Sequence, residues 1–491
     1  IKEDWPVNSQ ANPAHLAGDV VAARLAGWSE APHGTLAQRL AHALRQAVHA
    51  GLPPDGTRLP PERGLAAALA VSRSTVTGAL DELRSEGLIV SRRGSGTQVS
   101  HPAAEHPPGL RIAGHFEPLT GIDLLAGNPA DASHLPPLTV DVAALLAGGS
   151  GPAASPLGLG VLRTALARRH RERGWPTGAE HIHVTSGAHH GIAVALGVLA
   201  GPGVGVGVED PDYPGLFDIL DELGAPAVSL PTDDGGVVPG ALDRLLASGA
   251  VRVLYLQSGP HNPTGRVTAA DRLDELASVL DRHPGVTAIE DRTLADLAYG
   301  DGPAPELAPR CRRATVVSVG SFSKVAWAGL RLGWLRAPEP FIERTRLHRL
   351  ARDLGSSVPS QLLAAELVGH LDELGARRRA MLEPNVRRAR ELLGALIPQW
   401  TAPLPQGGSV LWIDTTLLDT DPFVALARHH GVKIAAGSIA RADRRPDPHV
   451  RVCVDRPWPQ VEEGLRRLAA AWQELGAGRR AGAPSPRRGL V

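Results

Sequence analysis

The chain is 491 residues long and 43% hydrophobic, with 51 Lys+Arg balanced by 51 Asp+Glu and only two cysteines. That length suits two or three domains with a large core, and the neutral balance excludes a broadly polybasic or polyacidic protein, so any nucleic-acid site must be local. Cys311 and Cys453 lie outside any CxxC motif, so neither a disulfide framework nor a cysteine-based zinc site is supported, and the sequence holds no apolar run long enough for a membrane helix. The first residues lack a secretory pattern, so a cytoplasmic protein is expected. The scattered histidines, His15 and His134 among them, have no metal-ligand spacing.

Residues 1–30 carry Trp5 and Trp28 but no clean element. Thr35 is placed to cap a helix with the apolar stripe Leu36, Leu40, Leu44 and Val48, which Gly51 ends. Pro53-Pro54-Asp55-Gly56 reads as a turn. A second short helix is expected over 62–70, with Leu65 and Leu69 inward. Ser72 is an N-cap for a third, whose buried face is Thr75, Val76, Ala79, Leu80 and Leu83 and whose stop is Gly87. Two short helices, a tight turn and a helix opening on small polar donors make a helix-turn-helix pattern, and residues 88–99 follow as a hairpin with an Arg-Gly tip. Ser72, Arg73, Ser74 and Thr75 are then placed for base edges or phosphates, and Arg58, Arg92 and Arg93, with Gly94 at the tip, for phosphates or the minor groove. Arginines alone would fit a small packing domain with a solvated surface equally well.

The run Gly56-Thr57-Arg58-Leu59-Pro60-Pro61-Glu62-Arg63, then Ser72-Arg73-Ser74-Thr75-Val76, Leu80-Asp81-Glu82-Leu83 and Glu86-Gly87-Leu88-Ile89, resembles the winged-helix domain of GntR-type bacterial repressors. Arg92-Arg93-Gly94-Ser95-Gly96-Thr97 is similar to that family's wing, and the match covers roughly residues 34–99.

Residues 100–117 have little periodicity and read as an interdomain linker. Beyond them strand-like runs (204–208, 251–256, 286–290, 315–319) alternate with helical stretches (161–173, 187–200), which implies a parallel or mixed sheet covered by helices, with ligands at the strand ends. Ser186-Gly187-Ala188-His189 follows the strand Ile182-His183-Val184 and opens a helix, where backbone N–H groups can hold a phosphate. Tyr213, one of three tyrosines, is suited to stack on a ring, and Asn262 in Pro260-His261-Asn262-Pro263 to donate to a phenolic oxygen. Asp291 ends a strand, where a carboxylate can pair with a pyridine nitrogen. Lys324 is one of three lysines; in Ser321-Phe322-Ser323-Lys324, with Arg331 close behind, it suits a Schiff base to pyridoxal 5'-phosphate (PLP), with Ser321, Ser323 and Arg331 as phosphate donors. Arg451 offers a planar fork for a carboxylate. Taken singly each has a plainer reading: a strand-to-helix junction, a packed tyrosine, a turn, a surface lysine, a structural salt bridge. The ordered set is much harder to dismiss.

Over about residues 120–475 this set resembles the class I, fold-type I aminotransferases. The resemblance implies roles in phosphate binding for Gly187 and Arg331, ring stacking for Tyr213, the phenolate for Asn262, the pyridine nitrogen for Asp291, the Schiff base for Lys324 and a carboxylate for Arg451, with His189 in the phosphate loop near the ring. Two departures stand out. Thr293 occupies the place of a tyrosine near the phenolic oxygen, and Ala153 the place of a tyrosine that touches a partner subunit's phosphate. Both put efficient transamination in doubt.

Joined to the winged helix, the chain resembles MocR-type transcriptional regulators. The expected organisation is an N-terminal extension and winged helix-turn-helix over 1–99, a linker over 100–117, an aminotransferase-like α/β domain over 118–477 and a frayed tail over 478–491. The resemblance implies a PLP-dependent regulator that binds operator DNA as a domain-swapped homodimer and senses PLP or a small amino compound through aldimine chemistry at Lys324. An active PLP-dependent aminotransferase with a DNA-binding extension is the alternative; a catalytically empty interaction scaffold is a third.

Overall fold

The computed structural model describes residues 21, 25, 28–30, 35–49, 58–85, 88–92, 96–99, 110–116, 121–138 and 155–481. They fall into a smaller unit drawn from Ile1–Pro107 and Gln473–Val491 and a larger one within Pro108–Trp472.

In the smaller unit three helices, Leu36–His49, Glu62–Ala68 and Arg73–Ser85, precede an antiparallel hairpin of Ile89–Arg92 and Gly96–Val99. The first helix opens on a reciprocal cap: Gln38 N–H donates to Thr35 Oγ1 at 3.3 Å and Thr35 N–H to Gln38 Oε1 at 2.9 Å. Ser72 caps the third as expected, accepting Thr75 N–H at 3.1 Å. The second helix is shorter than the expected 62–70, because Ala70 turns into the left-handed region at φ 55°. Leu40, Leu44, Leu65, Val76, Leu80, Leu83, Ile89 and Val99 form the core; each large side chain so buried stabilises by about 1.5–3 kcal/mol. Gly51, the 53–56 turn and Gly87 lie outside the described residues.

The larger unit is built on a seven-stranded sheet in the order 182–185, 333–336, 315–321, 287–291, 253–256, 206–208, 227–229. All strands run parallel except Gly333–Arg336, which is antiparallel to both neighbours. Successive residues point to opposite faces, so Val253, Tyr255, Ile289 and Val317 pack with the helices Ala188–Leu199 and Pro214–Leu223, while Leu254, Leu256, Ala288 and Val316 pack with Pro239–Ala247 and Ala270–Arg282. Both faces are covered, which is why these strands read as continuous apolar runs. A second, three-stranded antiparallel sheet pairs Val410–Asp414 with His449–Cys453 and the latter with Ala435–Ala436, placing Arg451 on its central strand. This is the expected α/β architecture, a mostly parallel sheet covered by helices on both faces.

Two expected boundaries run through ordered structure. Residues 110–116, read as linker, form the short helix Leu110–Ala113 and a 3-10 turn, Gly114–Phe116. Arg111 is buried there: its Nη1 and Nη2 donate to the carbonyls of Arg441 and Ala442 at 2.6 and 3.0 Å, while the backbone N–H groups of Arg111 and Ile112 donate to Asp218 at 3.3 and 3.2 Å. The last helix, Trp458–Ala481, crosses the expected boundary at 477. No described helix is long and apolar enough to cross a membrane.

Candidate functional site

The C-terminal ends of the parallel strands converge on one cavity of about 270 Å³. Gly187, Ala188, His189, Tyr213, Asn262, Asp291, Thr293, Ser321, Ser323, Lys324, Arg331 and Arg451 all line it, so the structure gathers the whole expected set.

One end of the cavity gathers hydrogen-bond donors. The helix Ala188–Leu199 starts there, and its first N–H groups have no intrahelical partners. Gly187 takes φ 101°, which a side chain would disfavour. Gly333 passes so close that a Cβ would sit 2.8 Å from Gly187 C and 2.9 Å from Ala188 N. The Ser321 hydroxyl accepts Ser323 N–H at 3.1 Å. Arg331, itself in the left-handed region at φ 52°, is exposed, and its guanidinium makes no hydrogen bond or ion pair among the described residues.

At the cavity wall Lys324 Nζ donates to Gly127 O at 2.8 Å and Asn128 Oδ1 at 2.9 Å. Burial, then the charge of Arg451, pulls its pKa down to about 8. A neutral amine is the nucleophile, so uptake of an aldehyde should quicken as pH rises through about 8 and level off above it. Stopped-flow absorbance with PLP checks this; a rate still climbing toward the pKa of a free lysine would contradict the lowered value.

Asp291 ends its strand with both oxygens engaged: Oδ1 accepts Thr293 N–H at 2.8 Å and Oδ2 accepts Tyr255 O–H at 2.5 Å. Thr293 Oγ1 is buried with no hydrogen-bond partner among the described residues. Tyr213 O–H meets His189 Nδ1 at 3.3 Å with the two rings perpendicular, and burial holds the His189 imidazole below its usual pKa.

Arg451 is less free than the sequence suggested. Its Nε donates to Asn262 Oδ1 at 3.0 Å and its Nη1 to Leu125 O at 2.8 Å, while Nη2 makes no hydrogen bond among the described residues. Asn262 keeps Nδ2 as its donor, and Gln257 clamps its backbone from both sides at 3.0 and 3.1 Å. Gly127, Asn128, Tyr255 and Gln257, together with Ile112, His115 and Phe116 of the 110–116 segment, were not anticipated.

In the smaller unit Ser72, Arg73 and Ser74 are exposed at the start of their helix. Ser72 Oγ lies 2.8 Å from Ser74 Oγ and 2.7 Å from Thr75 Oγ1, and Arg73 Nε lies 3.5 Å from Glu62 Oε2 with most of its side chain in solvent. Arg58 bridges to Gln98 on the hairpin, and Arg92 ends the hairpin's first strand. Arg93 and Gly94 lie outside the described residues, as does Ala153. No group of metal-binding side chains occurs among the described residues.

Residues 120–468 match the family model "Aminotransferase class I and II". The chain belongs to that family. Residues 36–99 match "Bacterial regulatory proteins, gntR family", which gives this aminotransferase relative a DNA-binding helix-turn-helix domain and makes it a MocR-type transcriptional regulator. The family chain is 30% identical to the uncharacterized HTH-type transcriptional regulator YisV of Bacillus subtilis, over 73% of its own length and 79% of that relative. It is 29% identical to the HTH-type transcriptional regulator TauR of Rhodobacter capsulatus over 89% and 96% of the two chains. It is 31% identical to the HTH-type pyridoxine biosynthesis regulator PdxR of Corynebacterium glutamicum over 62% and 66%. Among solved structures, LysN, the α-aminoadipate aminotransferase of Thermus thermophilus, shares the fold with a TM-score of 0.67 at 23% identity, covering 76% of this chain and 97% of that one. Fold-type I aminotransferases use PLP, so a PLP-related regulator follows from the family.

Proposed function

We propose that this regulator binds PLP in the cavity around Lys324 and binds operator DNA through its winged helix, with occupancy of the cavity setting DNA affinity. The observation that carries this reading is the convergence of a half-buried amine of lowered pKa, a carboxylate and a helix N-terminus with nearby hydroxyl and guanidinium donors in one cavity, on a chain that also carries a helix-turn-helix.

The donor set fits the cofactor. PLP, when bound, supplies an aldehyde for the Lys324 amine and a ring that draws electrons from it. Arg331, Ser321, Ser323 and the N–H groups of Ala188 and His189 would hold the phosphate; Asp291 would hold the ring-nitrogen proton; Asn262 Nδ2 would donate to the phenolic oxygen; Tyr213 and His189 would flank the ring. The unpartnered Thr293 hydroxyl supports a polar ligand here. Arg451 Nη2 would orient the carboxylate of a small amino compound toward Lys324. His115 and Phe116 would exclude water from that end.

On DNA, Ser72, Arg73, Ser74 and Thr75 would enter the major groove, with Arg58, Arg92, Arg93 and Gly94 on the backbone or minor groove. A cytoplasmic, domain-swapped homodimer would read paired half-sites. Arg73→Ala should cost operator binding about 1–3 kcal/mol and relax base preference, whereas Arg92→Ala should weaken all sequences alike. Competition binding against scrambled DNA checks both.

The deciding experiment measures operator affinity of cofactor-free protein before and after adding PLP, then with candidate amino compounds. No change under any condition would refute control by the cavity. A second reading, an active aminotransferase, draws on the lowered pKa of Lys324, which suits a general base. Steady turnover of amino donors with keto acids would favour it.

A further inference from the structure

Tyr255 lies outside the cavity lining, yet it touches the residue that would hold the ring proton. It sits on the Val253–Leu256 strand opposite Ile289, is fully buried, does not line the cavity, and donates to Asp291 Oδ2 at 2.5 Å. With Thr293 N–H on Oδ1, both oxygens of Asp291 are addressed from inside the chain. Burial, and then the charges of Asp291 and Asp212, raise the Tyr255 pKa well above that of a free phenol, so its hydroxyl keeps its proton and acts as the donor. The surrounding cluster of Val208, Val253, Ile289 and Val317 would accept a purely apolar side chain. A hydroxyl there would be costly without a partner. Its hydroxyl's one hydrogen bond among the described residues goes to Asp291, and a donor on a carboxylate stabilises the ionised form and lowers its basicity.

We propose that Tyr255 is a positioning residue that fixes the Asp291 carboxylate and weakens its hold on the proton of the ligand's ring nitrogen. A less firmly protonated ring draws electrons less strongly. Tyr255 thereby favours recognition of an amine over its turnover. The inference rests on the reading of the cavity as a PLP site.

The test loads full-length wild-type and Tyr255→Phe protein with PLP isotopically labelled at the ring nitrogen and follows the nitrogen chemical shift against pH. In Tyr255→Phe the midpoint for loss of the ring proton should rise by about one unit, the size expected for a charge-assisted hydrogen bond. Fluorotyrosine placed at position 255, a stronger donor of nearly the same shape, should move the midpoint the other way. If the phenylalanine protein does not fold, the fluorotyrosine protein carries the test alone. An unchanged midpoint, or shifts of the same sign in both variants, overturns the role of Tyr255 while leaving the cofactor site standing. Absence of bound-cofactor absorbance in the wild type overturns both.

Discussion

Lys324→Ala should leave a folded chain that can no longer be covalently labelled through PLP. Treatment with PLP and borohydride, followed by peptide mapping, should give one modified peptide in the wild type and none in the variant. The expected loss is complete, because no other described lysine lines the cavity. Stability should change little: the substitution removes a half-buried cation, which is costly to desolvate, but also strips Gly127 O and Asn128 Oδ1 of their donor. Lys324→Arg keeps the charge and should fail equally to take up the label. A label that persists in either variant would move the reactive amine elsewhere and remove the basis of the cofactor reading.

Gly333→Ala should damage phosphate binding from outside the cavity. The added Cβ would stand 2.6 Å from Gly320 O, 2.8 Å from Gly187 C and 2.9 Å from Ala188 N. All three are backbone atoms, so no side chain can swing aside to relieve the clash. The strand must separate from its neighbour or the N-terminus of Ala188–Leu199 must move, at about 1–3 kcal/mol of stability. Thermal unfolding reads the first effect. Titration of cofactor-free protein with PLP and with pyridoxal separates the second: PLP affinity should fall at least tenfold, and affinity for the phosphate-free aldehyde much less. Equal losses for both ligands would mean general unfolding of the site.

Much of this site was legible because its residues sit at strand ends, where a polar residue interrupts an apolar run. Gly187, Asp291, Ser321 and Lys324 each stand at such a point. The partners that set their properties carry no such mark. Asn128 meets Lys324 across 196 positions of sequence, and nothing in its own neighbourhood announces the contact. Tyr255 lies inside a buried strand and reads as one more core residue, because its hydroxyl faces a neighbouring strand's carboxylate. In sequence Arg451 offers an open fork; only the fold shows that Asn262 and Leu125 already occupy two of its nitrogens. Residues 110–116 were missed because a four-residue helix is too short to show a period, and because Arg111 is buried by pairing with backbone carbonyls and Asp218. The smaller unit was the most legible part, since its caps and apolar spacing act over a few residues.

The scarcity of lysine has a consequence for selectivity toward carbonyl compounds. Of three lysines, Lys433 is buried in a strand paired with Ile122–Asp123, and Lys2 lies outside the described residues. Guanidinium groups supply the positive charge elsewhere and stay protonated, so they do not trap aldehydes as a free amine does. Sugars, keto metabolites and stray aldehydes therefore find few side-chain amines to condense with, and a molecule shaped for the cavity meets little competition from the chain's own surface.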